Sequence, residues 1–231
     1  MIVLENVTKN FNGNLAINEV SLSIEKGENL AIIGANGSGK TTLVEMICGI
    51  QNPTSGKISF KNGINDIVGI QFQEGSWPPK TRPIDLLEFF KGKKWKDEEY
   101  VNKIFKIFEI ESILKKDINK LSGGQKQRLN CFLAIINNPT LIVIDELITG
   151  LDLKMQIRLL KYFQTLKEKK EVTMIIVSHI SDEIESLCDR VVVLKEGKIF
   201  EDNSLKEIVK NYKNIRNYLE KYFDESNDEN K

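Results

Sequence analysis

A glycine-rich segment in the first fifth of the chain has the residue types needed to hold phosphate groups. It comprises Gly34, Ala35, Asn36, Gly37, Ser38, Gly39, Lys40 and Thr41, which match the pattern G-x-x-x-x-G-K-[ST]. An apolar run at 30–33 indicates a strand before it, and helical spacing begins at Thr42. The glycines let backbone N–H groups approach an anion, which the helix N-terminus also attracts. We expect Lys40 to reach the β- and γ-phosphates of a nucleotide, Thr41 to ligate Mg²⁺ and Thr42 to support the phosphates.

A second segment with anion-binding character comprises Leu121, Ser122, Gly123, Gly124 and Gln125. Ser122 is a favourable N-cap, and the glycines leave the start of the helix predicted over 126–137 open to a ligand. Taken alone, the segment is also consistent with an ordinary capped helix. Together with the first segment, it means that the chain has two phosphate-reading helix ends, that is, two helix N-termini suited to bind phosphate, whereas a nucleotide has one triphosphate. Either the two ends converge within one molecule, or two molecules share the nucleotide.

Two acidic residues follow a continuous apolar run at 141–144, which indicates a buried parallel strand. Ligands bind at the carboxyl ends of such strands, where Asp145 and Glu146 lie. We expect Asp145 to hold Mg²⁺ directly or through water. Because side chains alternate along a strand, we expect Glu146 to point elsewhere and to address an attacking water. The alternative is that both acids only mark the exit of the strand.

The chain contains one histidine, His179, at the end of a buried strand predicted over 172–178. A lone histidine is usually a satisfied core or surface residue. Its position beside the carboxyl ends of the other predicted strands favours a functional role. In that role the imidazole contacts the γ-phosphate, either as a neutral donor or as a cation.

The composition narrows the class of protein. The 231 residues are 41% hydrophobic and 29% charged with a formal net charge of zero, which gives no indication of nucleic-acid or anionic-membrane binding. The three cysteines lack metal-ligand spacing and fit a reducing cytosol. No stretch approaches the ~20 apolar residues of a membrane span, and the N-terminus lacks a signal-peptide pattern. A role at a membrane would therefore require a partner.

The remaining patterns predict an α/β core with an inserted helical segment. Alternating residues at 3–8 and 20–24 indicate antiparallel strands. Further strands are predicted at 57–60, 67–72, 191–194 and 198–201, and helices at 84–91, 98–110, 153–167, 181–188 and 204–222. The stretch 73–120 contains no clear strand, and the tail at 223–231 is predicted to be disordered because residues 224–231 have no apolar content.

Phe11 lies in a polar turn predicted at 9–13. An aromatic side chain there can stack on a nucleotide base, or it can serve as a local hydrophobic plug. The turn alone favours the plug.

Taken together, these motifs resemble the nucleotide-binding subunit of ABC (ATP-binding cassette) transporters over residues 1 to about 222. Gly34–Thr41 is similar to the Walker A loop, Leu121–Gln125 to the signature, and Leu141–Asp145 to the Walker B strand. The resemblance implies that Glu146 is the catalytic glutamate and His179 the switch histidine. It implies that Gln73 is the Q-loop glutamine and the third Mg²⁺ ligand, beside Thr41 and Asp145. It further implies that Asp152 is the D-loop aspartate and Phe11 the aromatic residue that stacks on the base. Gln71 competes with Gln73 for the Q-loop position. The implied fold is α/β, a P-loop NTPase core with a mixed sheet, an N-terminal antiparallel β subdomain and a helical subdomain inserted at about 74–137.

The resemblance also implies cofactors, partners and a location. ATP and Mg²⁺ would lie between one chain's Walker A loop and the signature of a second chain, in a head-to-tail homodimer or a paired cassette. Hydrolysis would drive a separate transmembrane permease docked against residues 73–120, where an exposed loop at 77–79 is a candidate contact. The chain would then be cytoplasmic, on the inner face of the cell membrane. The stretch 73–79 is similar to exporter subunits, which favours export.

The chain departs from the family pattern beside the reacting groups. Leu147 and Leu153 stand where many relatives carry proline, which could alter turnover. One competing reading is a non-transport cassette in DNA repair, iron–sulfur assembly or translation. The long inserted coiled coil of repair relatives and the second cassette of translation relatives are missing from this sequence. A non-hydrolysing regulatory module is another reading, and Glu146 and His179 argue against it.

Overall fold

The structure, a computed structural model, describes residues 1–60, 68–71 and 77–228, with side chains described as far as Tyr222. The strands are β1 (Ile2–Phe11), β2 (Asn14–Ile24), β3 (Asn29–Ile33), β4 (Ser55–Phe60), β5 (Val68–Gln71), β6 (Leu141–Asp145), β7 (Thr173–Val177), β8 (Arg190–Lys195) and β9 (Lys198–Ser204). The helices are α1 (Lys40–Ile47), α2 (Pro83–Lys91), α3 (Glu99–Ile107), α4 (Gly123–Ile135), α5 (Leu153–Lys169), α6 (Ser181–Leu187), α7 (Leu205–Tyr212) and α8 (Ile215–Asp228). The predicted α/β class with a mixed sheet is confirmed.

The larger sheet places strand ends side by side. Its described strands run in the order β5-β6-β7-β3-β8-β9, all parallel to their neighbours except β9, which is antiparallel to β8. The strands β3 and β7 are buried at every residue, as the continuous apolar runs that follow Asn29 and Thr173 predict. Because these strands are parallel, the segments after β3, β6 and β7 leave the sheet at one edge.

The smaller sheet is antiparallel, in the order β2-β1-β4. Its alternating strands bury one face against the larger sheet and α1, with Ile2, Leu4 and Leu22 in a shared apolar cluster. The polar turn predicted at 9–13 is shorter in the structure. Phe11 is the last residue of β1, and only Asn12 and Gly13 form the turn, both with positive φ.

The described residues between β5 and β6 form helices and short 3₁₀ turns. Their apolar sides pack into the second core cluster, which includes Leu87, Phe105 and Phe132. Trp77 corrects one expectation: it is partly buried and packs on this cluster, and only Pro78 and Pro79 of the 77–79 loop are exposed. The large exposed apolar side chains of this region are instead Phe89, 80% exposed, and Phe90, 41% exposed, both on α2.

The end of the chain also differs from the prediction. The single helix predicted over 204–222 is divided into α7 and α8, because Ser204 opens a strand-to-helix junction with a capping box and Lys213 adopts a positive φ between the helices. The backbone of α8 is helical as far as Asp228, whereas the sequence predicts disorder from residue 223 on. Across the described ranges, no helix is both long and apolar enough to cross a membrane.

Candidate functional site

Two glycines of the 34–41 loop occupy positions that exclude any side chain. Gly34 has a φ of +153°, and a Cβ there would lie 2.3 Å from the carbonyl oxygen of Leu194. Gly39 has a φ of +102°, and a Cβ there would lie 2.5 Å from the carbonyl oxygen of Ala16. The loop is therefore pressed against two neighbouring strand segments, and it turns directly into α1 at Lys40.

Lys40 carries a positive charge into this loop. Its Nζ donates hydrogen bonds to the carbonyl oxygens of Gly34, at 2.8 Å, and Ala35, at 2.9 Å. Burial lowers the pKa of Lys40, and the nearby carboxylates of Asp145 and Glu146 partly offset this. The ammonium group is held among acceptors at the N-terminus of α1, where the helix dipole also favours an anion.

A cavity of about 640 Å³ collects the predicted phosphate-reading and acidic residues. The loop and α1 contribute one wall and the ends of β6 and β7 contribute another. Its lining comprises Ala16, Ile33, Gly34, Ala35, Asn36, Gly37, Gly39, Lys40, Thr41, Thr42, Asp145, Glu146, Val177, Ser178 and His179. The volume suits a phosphate chain more readily than a macromolecule.

Asp145 and Glu146 line the same cavity, which corrects the expectation that strand alternation sends them apart. The strand β6 ends at Asp145, and Glu146 has a left-handed φ of +56°. Burial first, and the charge of Glu146 second, raise the pKa of Asp145. Lys40 and His179 act in the opposite direction.

Glu146 and His179 form a pair at the mouth of the cavity. The Nδ1 atom of His179 lies 2.9 Å from Oε1 of Glu146, and the side chain of Glu146 is 15% exposed against 67% for His179. A sheltered carboxylate with an imidazole partner can accept a proton from water or orient it. The imidazole keeps a second nitrogen for another contact.

The donor set fits a magnesium nucleotide. The Oγ of Ser38 is buried without a hydrogen-bond partner among the described residues, and its loop brings Lys40 and three glycines to the cavity wall. Thr41 and Asp145 supply the hard oxygen atoms that Mg²⁺ prefers, and Mg²⁺ usually takes few protein ligands beside phosphate and water. Consistent with that, no group of three or more His, Cys, Asp or Glu side chains in the described residues could hold a metal alone.

The signature segment lies outside this cavity. Ser122 and Gly123 are exposed at the N-terminus of α4, where the Oγ of Ser122 accepts from the backbone N–H of Gln125 at 3.3 Å. The side chain of Gln125 accepts from the N–H of Ser122 at 3.2 Å, which completes a capping box. The two predicted phosphate-reading helix ends therefore do not converge within one chain.

Phe11 and Asp152 also lie away from the cavity lining. Phe11 is 43% exposed, with Nζ of Lys9 5.0 Å from the centre of its ring. Asp152 caps α5 by accepting from the N–H of Met155 at 3.0 Å. Of the two departures from the family pattern, Leu147 is buried and Leu153 is 70% exposed at the start of α5.

The structure describes only one of the two candidate Q-loop glutamines. Gln73 lies outside the described residues, so its assignment stays a prediction. Gln71 is 1% exposed, and its Oε1 accepts from the backbone N–H of Asp145 at 3.2 Å. Gln71 therefore supports the backbone of β6 instead of lining the cavity.

Comparison with known proteins decides the family. A family model described as ABC transporter matches residues 17–149, more than half of the chain. The chain belongs to the ABC transporter ATP-binding family. The ATP-binding cassette MJ0796, solved as a dimer in a post-hydrolysis state with ADP and Pi, is 27% identical with a TM-score of 0.79, covering 89% of this chain and 99% of its own. The fold is accordingly that of an ABC-type ATPase cassette.

Curated relatives of this cassette carry the name spermidine/putrescine import ATP-binding protein PotA. The protein from Fusobacterium nucleatum is 33% identical in an alignment of 220 positions that covers 90% of this chain. The protein from Desulfitobacterium hafniense is 31% identical in an alignment of 238 positions that covers 98% of this chain and 68% of its own length. The chain spans only 58% of the Fusobacterium protein. These names refer to import, so they do not support the expectation of export.

Sequence reasoning missed Gln127 and Glu183, two polar residues beside the cassette's cavity, and considered Gln71 only as a competitor for the Q-loop position. All three bond to the backbone around Asp145–Ile148. Gln71 had a detectable signal, since it ends the strand that the apolar pattern places beside β6. Gln127 and Glu183 had none, because both lie on helices distant in sequence from the turn that they contact.

Proposed function

We propose that this chain hydrolyses MgATP in a head-to-tail dimer and so drives transport through a separate membrane permease. The observation that carries the proposal is the division of the site. Lys40, Asp145, Glu146 and His179 meet in one cavity, while the signature is exposed elsewhere on the chain. A second copy, or a paired cassette, completes each site by offering its own Ser122 and Gly124 to the nucleotide.

The residues of the proposed site have separate tasks in hydrolysis. The loop N–H groups and Lys40 bind the phosphates and stabilise the charge that develops on the γ-phosphate. Thr41, Asp145 and Gln73 would hold Mg²⁺, which would neutralise charge on the phosphates when bound. Glu146 orients or deprotonates the attacking water, a role worth roughly 10²–10⁴ in rate. His179 holds Glu146 and contacts the γ-phosphate, Phe11 stacks on the base, and Asp152 lies at the interface between the two copies.

The helical insertion is the proposed contact for the permease. Phe89 and Phe90 form an exposed aromatic pair, with ring centres 5.2 Å apart, on α2. Exposed apolar pairs of this kind mark protein contacts more often than ordinary surface does. Docking there places the chain on the inner face of the membrane. The names of the PotA relatives favour import as the direction of transport.

The test is the variant Glu146→Gln, which keeps the shape of the side chain but cannot act as a base. We expect it to bind ATP as the wild type does, to release phosphate at least roughly 10²-fold more slowly, and to accumulate as a dimer with ATP. Phosphate release and gel filtration with and without ATP measure these outcomes. Wild-type turnover in this variant would contradict the assignment of Glu146 as the residue that activates water.

A second measurement addresses transport separately. Co-purification of a polytopic membrane protein with the tagged wild type, and its loss with Phe89→Ser, would support the docking surface. Ile157→Ser is the matched control, because Ile157 is also exposed, at 48%, but lies on α5. Retained capture by Phe89→Ser would contradict docking at α2, while leaving the ATPase assignment intact.

A further inference from the structure

The turn after β6 adopts a conformation that its own sequence does not favour. Glu146 has a φ of +56°, in the left-handed region, although it is neither glycine nor asparagine. Such a conformation costs about 1–2 kcal/mol for a residue with a side chain, so neighbouring contacts must hold it. The backbone N–H of Glu146 donates to the carbonyl oxygen of Val177 at 2.9 Å, which fixes only the start of the turn.

Gln127, on α4, contacts the carbonyl side of this turn. Its Nε2 donates to the carbonyl oxygen of Glu146 and, at 3.3 Å, to that of Leu147. Its Oε1 accepts from Nε2 of Gln71 at 3.3 Å. Since Oε1 of Gln71 accepts from the N–H of Asp145, two glutamine side chains link α4 to the backbone on both sides of the Asp145–Glu146 bond.

Close packing of α4 on β5 allows this link. Gly69, in β5, has space for no side chain, because a Cβ there would lie 1.9 Å from the carbonyl oxygen of Ala134 in α4. The helix therefore lies directly on the edge strand, where the side chains of Gln71 and Gln127 can meet.

Glu183, on α6, contacts the amide side of the same turn. It is fully buried, and its Oε1 accepts from the backbone N–H of Ile148 at 2.6 Å. Only three residues separate it from His179 in the sequence. A buried carboxylate is costly unless it makes such hydrogen bonds, and this one accepts its hydrogen bond from the backbone that follows Glu146.

We propose that Gln127 and Glu183 are positioning residues that hold Glu146 in its working orientation from opposite sides of the turn. The proposal rests on the proposed role of Glu146 as the residue that activates water. It has a mechanical consequence, because Gln127 lies on the same helix as the signature. A second copy that binds the signature end of α4 thereby acts on the Glu146 of the chain that carries the signature, and so on the other nucleotide site of the dimer.

The first test replaces the donor without changing its shape. In Gln127→Glu the carboxylate would face the carbonyl oxygens of Glu146 and Leu147, so we expect kcat for ATP hydrolysis to fall roughly tenfold or more. The KM for ATP should stay within about twofold, because the phosphate-binding residues are untouched. Gln164→Glu, on α5, is the matched control and should keep the wild-type kcat. If Gln127→Glu does not fold, Gln127→Leu removes the donor without adding a charge and carries the same test.

The second test uses Glu183 and includes a conservative variant. Glu183→Met leaves the N–H of Ile148 without an acceptor, and its kcat should fall with little change in the KM for ATP. Glu183→Gln keeps an acceptor oxygen and should recover most of the lost rate. The unpaired N–H lowers the melting temperature in either case, so ATP binding decides: a purely structural role would weaken ATP binding together with kcat.

Two outcomes separate this proposal from the proposed function. If Glu146→Gln abolishes turnover while Gln127→Glu, Gln127→Leu and Glu183→Met keep kcat within about twofold of the wild type, the positioning proposal is overturned and the role of Glu146 stands. If Glu146→Gln itself retains wild-type turnover, the role of Glu146 falls, and this inference falls with it.

Discussion

At the scale of single residues, the cavity concentrates opposite charges that burial would otherwise disfavour. Lys40 loses part of its hydration, and so does Asp145, and each shifts the pKa of the other toward its charged form. Burial has the larger effect on both, so neither group is placed for stability. Residues that carry such a cost are typical of sites that meet a charged ligand.

The first prediction concerns the ammonium group. Lys40→Ala should weaken ATP binding at least roughly tenfold, because the loop loses the only lysine or arginine among the described residues that line the cavity. A titration with a fluorescent ATP analogue measures the affinity. Lys161→Ala, an exposed position on α5, is the control, and an unchanged titration for Lys40→Ala would contradict the phosphate-binding assignment.

A second prediction at this scale concerns pH and Glu183. Burial raises its pKa above the ordinary value of 4.5, and hydrogen bonds from Ser178 and the backbone N–H of Ile148 only partly offset this. As pH rises through 4.5, the unfolded chain loses this proton before the folded chain does, so the folded state loses stability until the pH passes the folded pKa. Below that range the group contributes no pH dependence.

Glu183→Gln cannot ionise and isolates this effect. Its free energy of unfolding, relative to that of the wild type, should increase as pH rises above 4.5, the ordinary pKa of this carboxyl group. Urea unfolding of both proteins at several pH values measures the difference, and titrations common to the two chains cancel. A difference that does not vary with pH would show that the carboxyl group has an ordinary pKa in the folded protein.

The residues that sequence could predict are those whose chemistry is local. Gly34–Thr41 contains its turn, its cation and its helix start within eight neighbouring positions, so a pattern suffices. The orientation of Glu146 could not be predicted, because alternation holds only while the strand continues and β6 ends one residue earlier. Gln127 and Glu183 act on backbone atoms that folding alone brings to them.

At the scale of elements, the start of α4 is packed against the turn that precedes α5. A Cβ on Gly124 would lie 2.6 Å from the carbonyl oxygen of Gly150, whereas a Cβ on Gly123 would meet nothing within 4 Å. Glycine therefore stands at these two adjacent positions for different physical reasons. Gly124 is required for close packing within the chain, and Gly123 leaves an open surface.

This contrast predicts opposite effects for a matched pair of variants. Gly124→Ala should destabilise the folded chain by about 1–3 kcal/mol, because the helix must move away from Gly150. Gly123→Ala should stabilise it by up to ~1 kcal/mol, since alanine lowers the conformational entropy of the unfolded chain and favours a helix. Urea unfolding of the two monomers measures both effects. Equal destabilisation would show that Gly123 also has a packing role within the monomer.

The joint between the helical insertion and the core shows why elements were easier to predict than their packing. Glu109 pairs with Arg128 of α4 at 3.3 Å and with Arg158 of α5 at 2.5 Å. Apolar spacing predicted these helices, with ends displaced by a few residues. It could not predict an ionic contact among segments so far apart in sequence, because charged residues carry no periodic signal.

At the scale of the whole molecule, the chain presents two half-sites that face different surroundings. The loop at 34–41 opens into the cavity, while the signature end of α4 is exposed and its Ser122 side chain is already engaged in a capping box. In the proposed head-to-tail pair, each half-site would meet its complement on the other chain. The fold class could be read from strand and helix patterns, but the separation of the half-sites required the three-dimensional arrangement.

The separation predicts complementation between two inactive chains. Lys40→Ala damages the loop of its own chain, and Gly123→Glu places a negative charge where the signature would meet phosphate. The second change should not impair folding, because Gly123 faces open space and an acidic residue in the first turn of a helix is favourable.

When the two variants are mixed in equal amounts, half of the dimers would contain one chain of each kind. Each such dimer has one site with both changes and one site with neither, because the loop and signature of any site come from different chains. If the intact site works independently, the mixture should release phosphate at roughly one quarter of the wild-type rate, while each variant alone is inactive. Phosphate release at a fixed total concentration measures this. Recovery is impossible if each chain's own loop and signature meet, so a mixture as inactive as its components would count against the shared site.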